Sequence, residues 1–366
     1  MKKIFFFFGT RPEAIKLAPI ILLLQNSKDY KVTVCVSSQH VELLHQVLEF
    51  FKIRIHYNLN IMTHKQNLFD ITSKCISQLN DIIKKENPNL IIVQGDTSTA
   101  FSGALAGFYS KIPVAHIEAG LRTHTPLNPY PEEMNRKLIS QLATFHFAPT
   151  KCNKENLEKE GIKSNIWVVG NTVIDSLNFT NKHVCNGYTP KFNLNNSTKK
   201  LILVTGHRRE NVGKPFENLC KELIKIAQTN KFKIIFPLHL NPELTKIAHS
   251  LLSSIDNINL IDPQPYPDFI WLIKHAKLII TDSGGVQEEA PFFGVPTLVT
   301  RKSTERTESL TVNSYLIDLT KESLHKTVIN LFKDSKKLTK LTQKSNFYGD
   351  GNSSQLIQSI LNTHLT

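Results

Sequence analysis

No run of apolar residues in this chain approaches the roughly 20 needed to cross a bilayer, so the sequence offers no candidate membrane helix. The opening MKKIFFFFGTRPE has the flavour of a secretion signal, but its apolar stretch Ile4–Phe8 is too short for one. It also runs straight into Gly9-Thr10-Arg11-Pro12-Glu13 and reads as a first buried strand. Cysteine is scarce: Cys35, Cys75, Cys152, Cys185 and Cys220 are far apart and form no C-x-x-C pair. That argues against a zinc site or a disulfide frame and fits a reducing cytosol. No G-x-G-x-x-G turn is present, which removes the usual signal for a bound nicotinamide. Acidic residues are outnumbered, 31 against 44 Lys plus Arg, for a net charge of +13.

A nucleic-acid binder gathers such a surplus into one stripe with aromatics between. Here the lysines are scattered over helical and loop segments such as Lys84-Lys85, Lys199-Lys200 and Lys333 to Lys337, as solvated faces. Nucleic acid is therefore not an expected partner, although a positive field would steer an anionic small substrate. With 40% apolar and 20% charged residues, the 366 residues suit a globular protein of two domains.

What is present is alternation. The strand-like runs Ile4–Phe8, Val32–Val36, Leu90–Gln94, Val114–Glu118, Phe145–Pro149 and Ile166–Gly170 are separated by amphipathic segments. Continuous apolar strands alternating with helices mean βαβ crossovers and a parallel sheet covered on both faces. Asn178 to Lys200 is polar, lacks a sustained period and reads as a linker or surface excursion. The pattern restarts with Leu201–His207, Lys233–His239, Ile258–Asp262, Leu278–Gly284, Pro296–Arg301 and Ser314–Asp318, followed by two terminal amphipathic helices. The expected fold is α/β with two Rossmann-like domains, parallel sheets facing a central cleft, and ligands beyond the carboxyl ends of the strands.

Leu278 to Glu289, LIITDSGGVQEE, is the stretch on which the second half turns. A strand passing through Asp282, Ser283, Gly284 and Gly285 into a helix aims backbone N–H groups at open space, which suits a phosphate. Glu288 and Glu289, one turn on, could accept from ribose hydroxyls. An ordinary capped strand-to-helix turn explains the stretch alone equally well. Arg306, in Thr304-Glu305-Arg306-Thr307-Glu308 after the next strand, would point at Ser283 and Gly284 and favours the phosphate. At the first strand end Arg11 offers a bidentate fork and Lys16 a point charge one turn on, against the plainer reading of a charged helix start. Asp96 follows the Leu90–Gln94 strand, Glu118 ends the next, and Glu132 opens a helix after Pro129-Tyr130-Pro131. Asp96 has a structural reading as a helix cap and Glu132 as a first-turn acid. Together the three form a set of carboxylates whose crowding can separate an acid from a base. His207, in Gly206-His207-Arg208-Arg209, is a further acid/base candidate, and His239 ends the next strand in the same topological place.

GTRPEAIKLAP (9–19), SQH (38–40), GDTST (95–99), IEAGLRT (117–123), PEEMNR (131–136), GHRREN (206–211), TDSGGVQEEAP (281–291), TERTE (304–308) and YGDG (348–351) span nearly the whole chain in order. The set closely resembles the bacterial non-hydrolysing UDP-N-acetylglucosamine 2-epimerases. The resemblance implies the glycosyltransferase-B architecture. It implies domains 1–172 and 173–346, with a final helix from about 347 to 366 crossing back to the first. It also implies interconversion of UDP-N-acetylglucosamine and UDP-N-acetylmannosamine without cofactor or metal, a cytoplasmic homodimer, and a supply of product to surface polysaccharide synthesis. Asp96, Glu118, Glu132 and His207 would then serve proton transfer and sugar positioning, without distinguishing which carboxylate is the base. Arg11, Lys16, Ser283, Gly284, Gly285 and Arg306 would hold diphosphate, Glu289 ribose and Phe269 uracil, with Arg136 also at the substrate. Gln39, His40, Arg208 and His239 match a second, activating UDP-sugar site found in several bacterial members, where Lys65 stands in place of a frequent Arg. Departures cluster near Arg306: Thr307 replaces a usual Pro, Lys302 an acidic residue and Asn313 a usual Gly. The competing readings are a hydrolysing 2-epimerase, an epimerase of a modified UDP-sugar and, in another class, a glycosyltransferase of the same fold or a non-catalytic sensor.

Overall fold

Phe5 to Phe8 fill an inner strand of a parallel sheet, and each is 1% exposed or less. That is why the run is unbroken: a strand covered on both faces has no polar side to show. Each such ring contributes roughly 1.5–3 kcal/mol on burial. The structure is a computed structural model describing residues 1–38, 41–62, 66–185, 187–192, 198–206, 213–238, 241–310 and 312–365, residue 41 by its backbone alone. The chain divides into two compact units, Met1–Asn178 with Tyr348–Thr366, and Phe179–Phe347.

In the first unit the order is β1 (Lys2–Phe8), α1 (Arg11–Gln25), β2 (Tyr30–Val36), α2 (Val41–Phe50), β3 (Tyr57–Asn58) and α3 (Leu68–Glu86). It continues with β4 (Leu90–Gln94), α4 (Ser98–Tyr109), β5 (Val114–Ile117), α5 (Glu132–Leu142), β6 (Phe145–Ala148), α6 (Lys151–Lys159), β7 (Ile166–Val168) and α7 (Thr172–Cys185). The seven strands pair in the order β3-β2-β1-β4-β5-β6-β7, all parallel.

The second unit carries β8 (Lys200–Thr205), α8 (Lys214–Gln228), β9 (Phe232–Pro237), α9 (Pro242–Leu252), β10 (Ile258–Ile261) and α10 (Tyr266–His275). Next come β11 (Leu278–Thr281), α11 (Gly284–Phe293), β12 (Thr297–Val299), β13 (Ser314–Leu316), α12 (Leu324–Lys333) and α13 (Ser335–Leu341). Its six strands run β10-β9-β8-β11-β12-β13, again all parallel. In both sheets the chain reverses direction of travel beside its first strand, between β1 and β4 and between β8 and β11. Ligands of doubly wound sheets bind outside the carboxyl ends at such switch points.

Two local expectations give way. The polar segment from Asn178 begins inside a helix, because α7 runs to Cys185. Val173, Leu177, Thr180 and Val184 supply a buried stripe at helical spacing, which the surrounding Asn, Thr and Lys conceal. The end of the chain holds three helices beyond β13, not two. Asp334 accepts from the Lys337 amide and starts α13 anew after α12. The last of the three, α14 (Ser353–His364), belongs to the first unit: Asp175 on α7 accepts from the amides of Ser353 and Ser354 at 3.3 and 2.8 Å. Tyr30 bonds Asn362, and the Trp167 and His364 rings lie 5.2 Å apart. Finally, β3, only two residues long, carries no signal that periodicity can detect.

Candidate active site

The first turn of α1 reaches into three strand ends. Thr10-x-x-Glu13 is a capping-box sequence, and the Glu13 carboxylate accepts from the Gly9 and Thr10 amides at 3.1 and 2.7 Å. Its other oxygen accepts from the Thr97 hydroxyl at 2.7 Å, across from the turn after β4. One helical turn on, the Lys16 ammonium meets Glu118 Oε2 at 2.5 Å, and Gln94 Nε2 donates to the same oxygen at 2.5 Å. Lys16 and Glu118 are 5% and 6% exposed, so the pair is largely out of water. Glu118 has a positive φ of 67°, a strained conformation for a non-glycine residue that marks functional positions.

Asp96 is held from α5. Arg136 Nε and Nη2 reach Asp96 Oδ2 at 2.8 and 2.6 Å, and Asn135 Nδ2 donates to the Asp96 carbonyl at 2.8 Å. Arg136 Nη1 also donates to Glu133 at 2.9 Å. Glu133 in turn accepts from the Thr123 and His124 amides, which ties down the loop after β5. Arg136 is 3% exposed and spends these donors inside the protein, so it positions Asp96 rather than standing open to a ligand. Glu132 lies half-buried at the first residue of α5, and Arg11 half-buried at the first residue of α1. His116 Nε2 lies 2.7 Å from the Gly95 carbonyl. Burial pushes this histidine down to about 3, so at neutral pH it is uncharged and donates through Nε2 to fix the turn carrying Asp96.

In the second unit Ser283 is the N-cap of α11, and its side chain makes no capping bond. The first-turn amides of a helix have no acceptor within it, which leaves those of Gly284 and Gly285 for an anion. The Thr205 and Thr281 hydroxyls share a 2.5 Å bond, and Thr281 accepts from the Ser283 amide at 2.9 Å. Arg306 arrives from the loop after β12 with 7% exposure. It donates to Glu288 at 2.7 Å and to Glu305, and Arg301 meets Glu305 at 3.1 Å. Glu288 is thereby engaged with Arg306 through Oε1. Glu289 is 5% exposed, and Phe269 lies half-buried in the first turn of α10. The departures from the family pattern leave Arg306 beside the glycine turn. Asn313, one of them, donates to the Leu341 and Gln343 carbonyls at 3.0 and 2.6 Å. His207, Gln39, His40, Lys65, Arg208 and His239 lie outside the described residues. Sequence spacing does not point Glu13, Gln94, Glu133, Glu288 and Glu305 to these partners. For Glu13 alone a local signal existed, the capping box.

A family model described as UDP-N-acetylglucosamine 2-epimerase matches residues 23–362. The chain belongs to this family. The Campylobacter jejuni UDP-N-acetylglucosamine 2-epimerase is 44% identical over 99% of this chain and 97% of its own. The Escherichia coli K12 enzyme is 41% identical over 100% of both. Among solved structures, the Neisseria meningitidis UDP-GlcNAc 2-epimerase bound to UDP-GlcNAc superposes with a TM-score of 0.93 at 42% identity, covering 99% of this chain and 100% of that one. The Methanocaldococcus jannaschii UDP-GlcNAc 2-epimerase in complex with UDP-GlcNAc and UDP gives 0.86 at 35% identity, covering 99% of each. The kitacinnamycin glycotransferase, at 12% identity and a TM-score of 0.66 over 98% of both chains, shares the fold alone.

In this member of the epimerase family Gly284 is required for a packing reason. A Cβ there would lie 2.6 Å from Arg306 Nη1 and 2.7 Å from its Cζ. The guanidinium is moored to two buried carboxylates, so it cannot swing away without breaking ion pairs. Gly284→Ala is expected to weaken UDP binding about tenfold, roughly the value of one charge-assisted contact. Isothermal calorimetry with UDP checks this, and an unchanged affinity would separate Arg306 from the nucleotide. Among the described residues no group of three His, Cys, Asp or Glu side chains is arranged to hold a metal ion. No helix among them is long and apolar enough to cross a membrane.

Proposed function

We propose that this chain interconverts UDP-N-acetylglucosamine and UDP-N-acetylmannosamine without releasing free sugar. The hydrogen on the inverted carbon is not next to a carbonyl, so direct deprotonation and return is too slow to use. Instead a base removes that proton while UDP leaves the anomeric carbon: the C–H bonding pair becomes the double bond of a glycal, and the anomeric C–O pair departs with UDP. UDP then adds back to the anomeric carbon as the proton returns to the opposite face. Such a cycle needs an acid, a base and strong stabilisation of the departing diphosphate.

The observation that carries this reading is the pair of carboxylates at adjacent strand ends of the first unit. Asp96 is fixed by Arg136 and Glu118 by Lys16, in a family whose Neisseria member holds UDP-GlcNAc. Asp96, Glu118, Glu132 and His207 would divide the proton transfers and the orientation of the sugar. Ser283, the Gly284 and Gly285 amides and Arg306 would take the diphosphate, with Arg11 as a further anion contact. Glu289 would take the ribose and Phe269 the uracil. We assign no cofactor or metal, and we take the protein to act as a cytoplasmic homodimer whose product feeds surface polysaccharide synthesis.

Proton NMR of UDP-N-acetylglucosamine with the protein in heavy water tests the reaction. Epimerisation with deuterium entering at the inverted carbon is expected. Release of free N-acetylmannosamine would instead mark a hydrolysing enzyme. An unchanged spectrum would remove UDP-N-acetylglucosamine as the substrate and leave a modified UDP-sugar or a glycosyl transfer to be tried.

A further inference from the structure

We propose that Glu13 is a positioning residue for the epimerisation, a strut that holds the anion-contacting turn after β1 and the Asp96 turn after β4 in one fixed relation. This deepens the function proposed above and rests on it. One Glu13 oxygen takes the Gly9 and Thr10 amides, which lie immediately before Arg11. The other takes the hydroxyl of Thr97, the residue after Asp96, 84 positions along the chain. Thr97 in turn caps α4, accepting from the Ala100 amide at 3.0 Å. A single carboxylate thus joins the two turns at the switch point of the first sheet.

Packing beside it leaves little slack. Ser37 and Thr99 share a 2.9 Å hydrogen bond, and a Cβ on Gly9 would lie 2.0 Å from that Ser37 hydroxyl. The first β1 turn therefore cannot shift toward β2 or α4 to compensate for a lost strut. Glu13 is 1% exposed, and burial pushes its carboxyl up to about 7 although its hydrogen bonds pull the other way. The fold retains an ionisable group here against its solvation preference, which a purely space-filling position would not need. Displacements of about an ångström between catalytic groups are enough to lower a rate about a hundredfold.

The test uses the full-length protein with Glu13→Ala, Glu13→Gln, Thr97→Val and the Glu13→Ala/Thr97→Val double variant. Calorimetric UDP binding, assigned above mainly to Ser283, Gly284, Gly285 and Arg306, establishes that each variant is folded. Glu13→Ala is expected to lower kcat about thirtyfold or more with KM within threefold, and Glu13→Gln, which keeps acceptors for the two amides, to recover part of that loss. The single effects should be less than additive in the double variant, because both substitutions remove the Glu13–Thr97 link, although Thr97→Val also removes the α4 cap. Hydrogen exchange at the Gly9 and Thr10 amides should accelerate in Glu13→Ala, a readout independent of turnover and of which UDP-sugar is used. A folded Glu13→Ala with wild-type kcat, a loss confined to KM, or additive single effects would each overturn the assignment. If the wild type fails to epimerise but the amides still lose protection, the strut stands and the function proposed for the site falls.

Discussion

Glu118→Gln is expected to lower turnover by about 10²- to 10⁴-fold, the range that a positioned acid or base supplies, while UDP affinity stays within about threefold. Two neighbours set the Glu118 carboxylate: the Lys16 ammonium and the Gln94 amide both converge on one oxygen at 2.5 Å. Its backbone stands at a φ of 67°, so the side chain projects from a turn that the rest of the site must hold. A glutamine fits that space but cannot act as base, and it leaves Lys16 buried without its countercharge. Removing one partner of a buried ion pair costs roughly 3–5 kcal/mol, so a fall of several degrees in Tm is expected as well. Asp96→Asn should lower turnover comparably with a smaller loss of stability, because Arg136 keeps Glu133 at 2.9 Å. Steady-state rates, thermal melts and UDP calorimetry on both variants decide the matter. Turnover that survives both substitutions would remove the carboxylates from the chemistry.

Arg306→Ala should act on binding first. The guanidinium lies on the open face of Gly284, at the N-terminus of α11, where a diphosphate would receive its charge together with the helix amides. Loss of one or two charge-assisted hydrogen bonds, about 1.5–3 kcal/mol each, corresponds to a UDP affinity lower by about 10²-fold. The same substitution strips a partner from Glu288 and Glu305, which are 1% and 4% exposed. Glu305 retains Arg301, whereas Glu288 loses its Arg306 contact, so the variant should also unfold more easily. Arg306→Lys separates the two roles. A lysine restores positive charge near the carboxylates but lacks the planar fork, so stability should recover further than affinity. Calorimetry showing wild-type UDP affinity in Arg306→Ala would leave Arg306 a structural residue only.

The site is legible in the sequence where its chemistry is local. LIITDSGGVQEE is legible as strand, glycine turn and helix because burial on both faces, paired glycines and helical spacing are written into consecutive residues. The same holds for the turns that place Asp96 and Glu118. Spacing could not tell which of Glu132 and Glu133 turns inward, and the fold gives Glu133 the buried position at 0% exposure. Nor could it separate Glu288 from Glu289, since adjacent helical residues point in different directions and only the packed partner shows which one is engaged.

By itself, then, the sequence determined the two parallel sheets, the order of their strands along the chain apart from the two-residue β3, and the residue types at the strand ends. Periodicity and turn chemistry are properties of neighbours in the chain, so they need nothing else. Tertiary structure decided the partnerships. Lys16 meets Glu118 across 102 positions and Glu13 meets Thr97 across 84. These pairs exist because β1, β4 and β5 lie side by side in the sheet. That adjacency is settled by assembly of the whole core, where burying the apolar strands against the helices selects one strand order and thereby brings distant charges together.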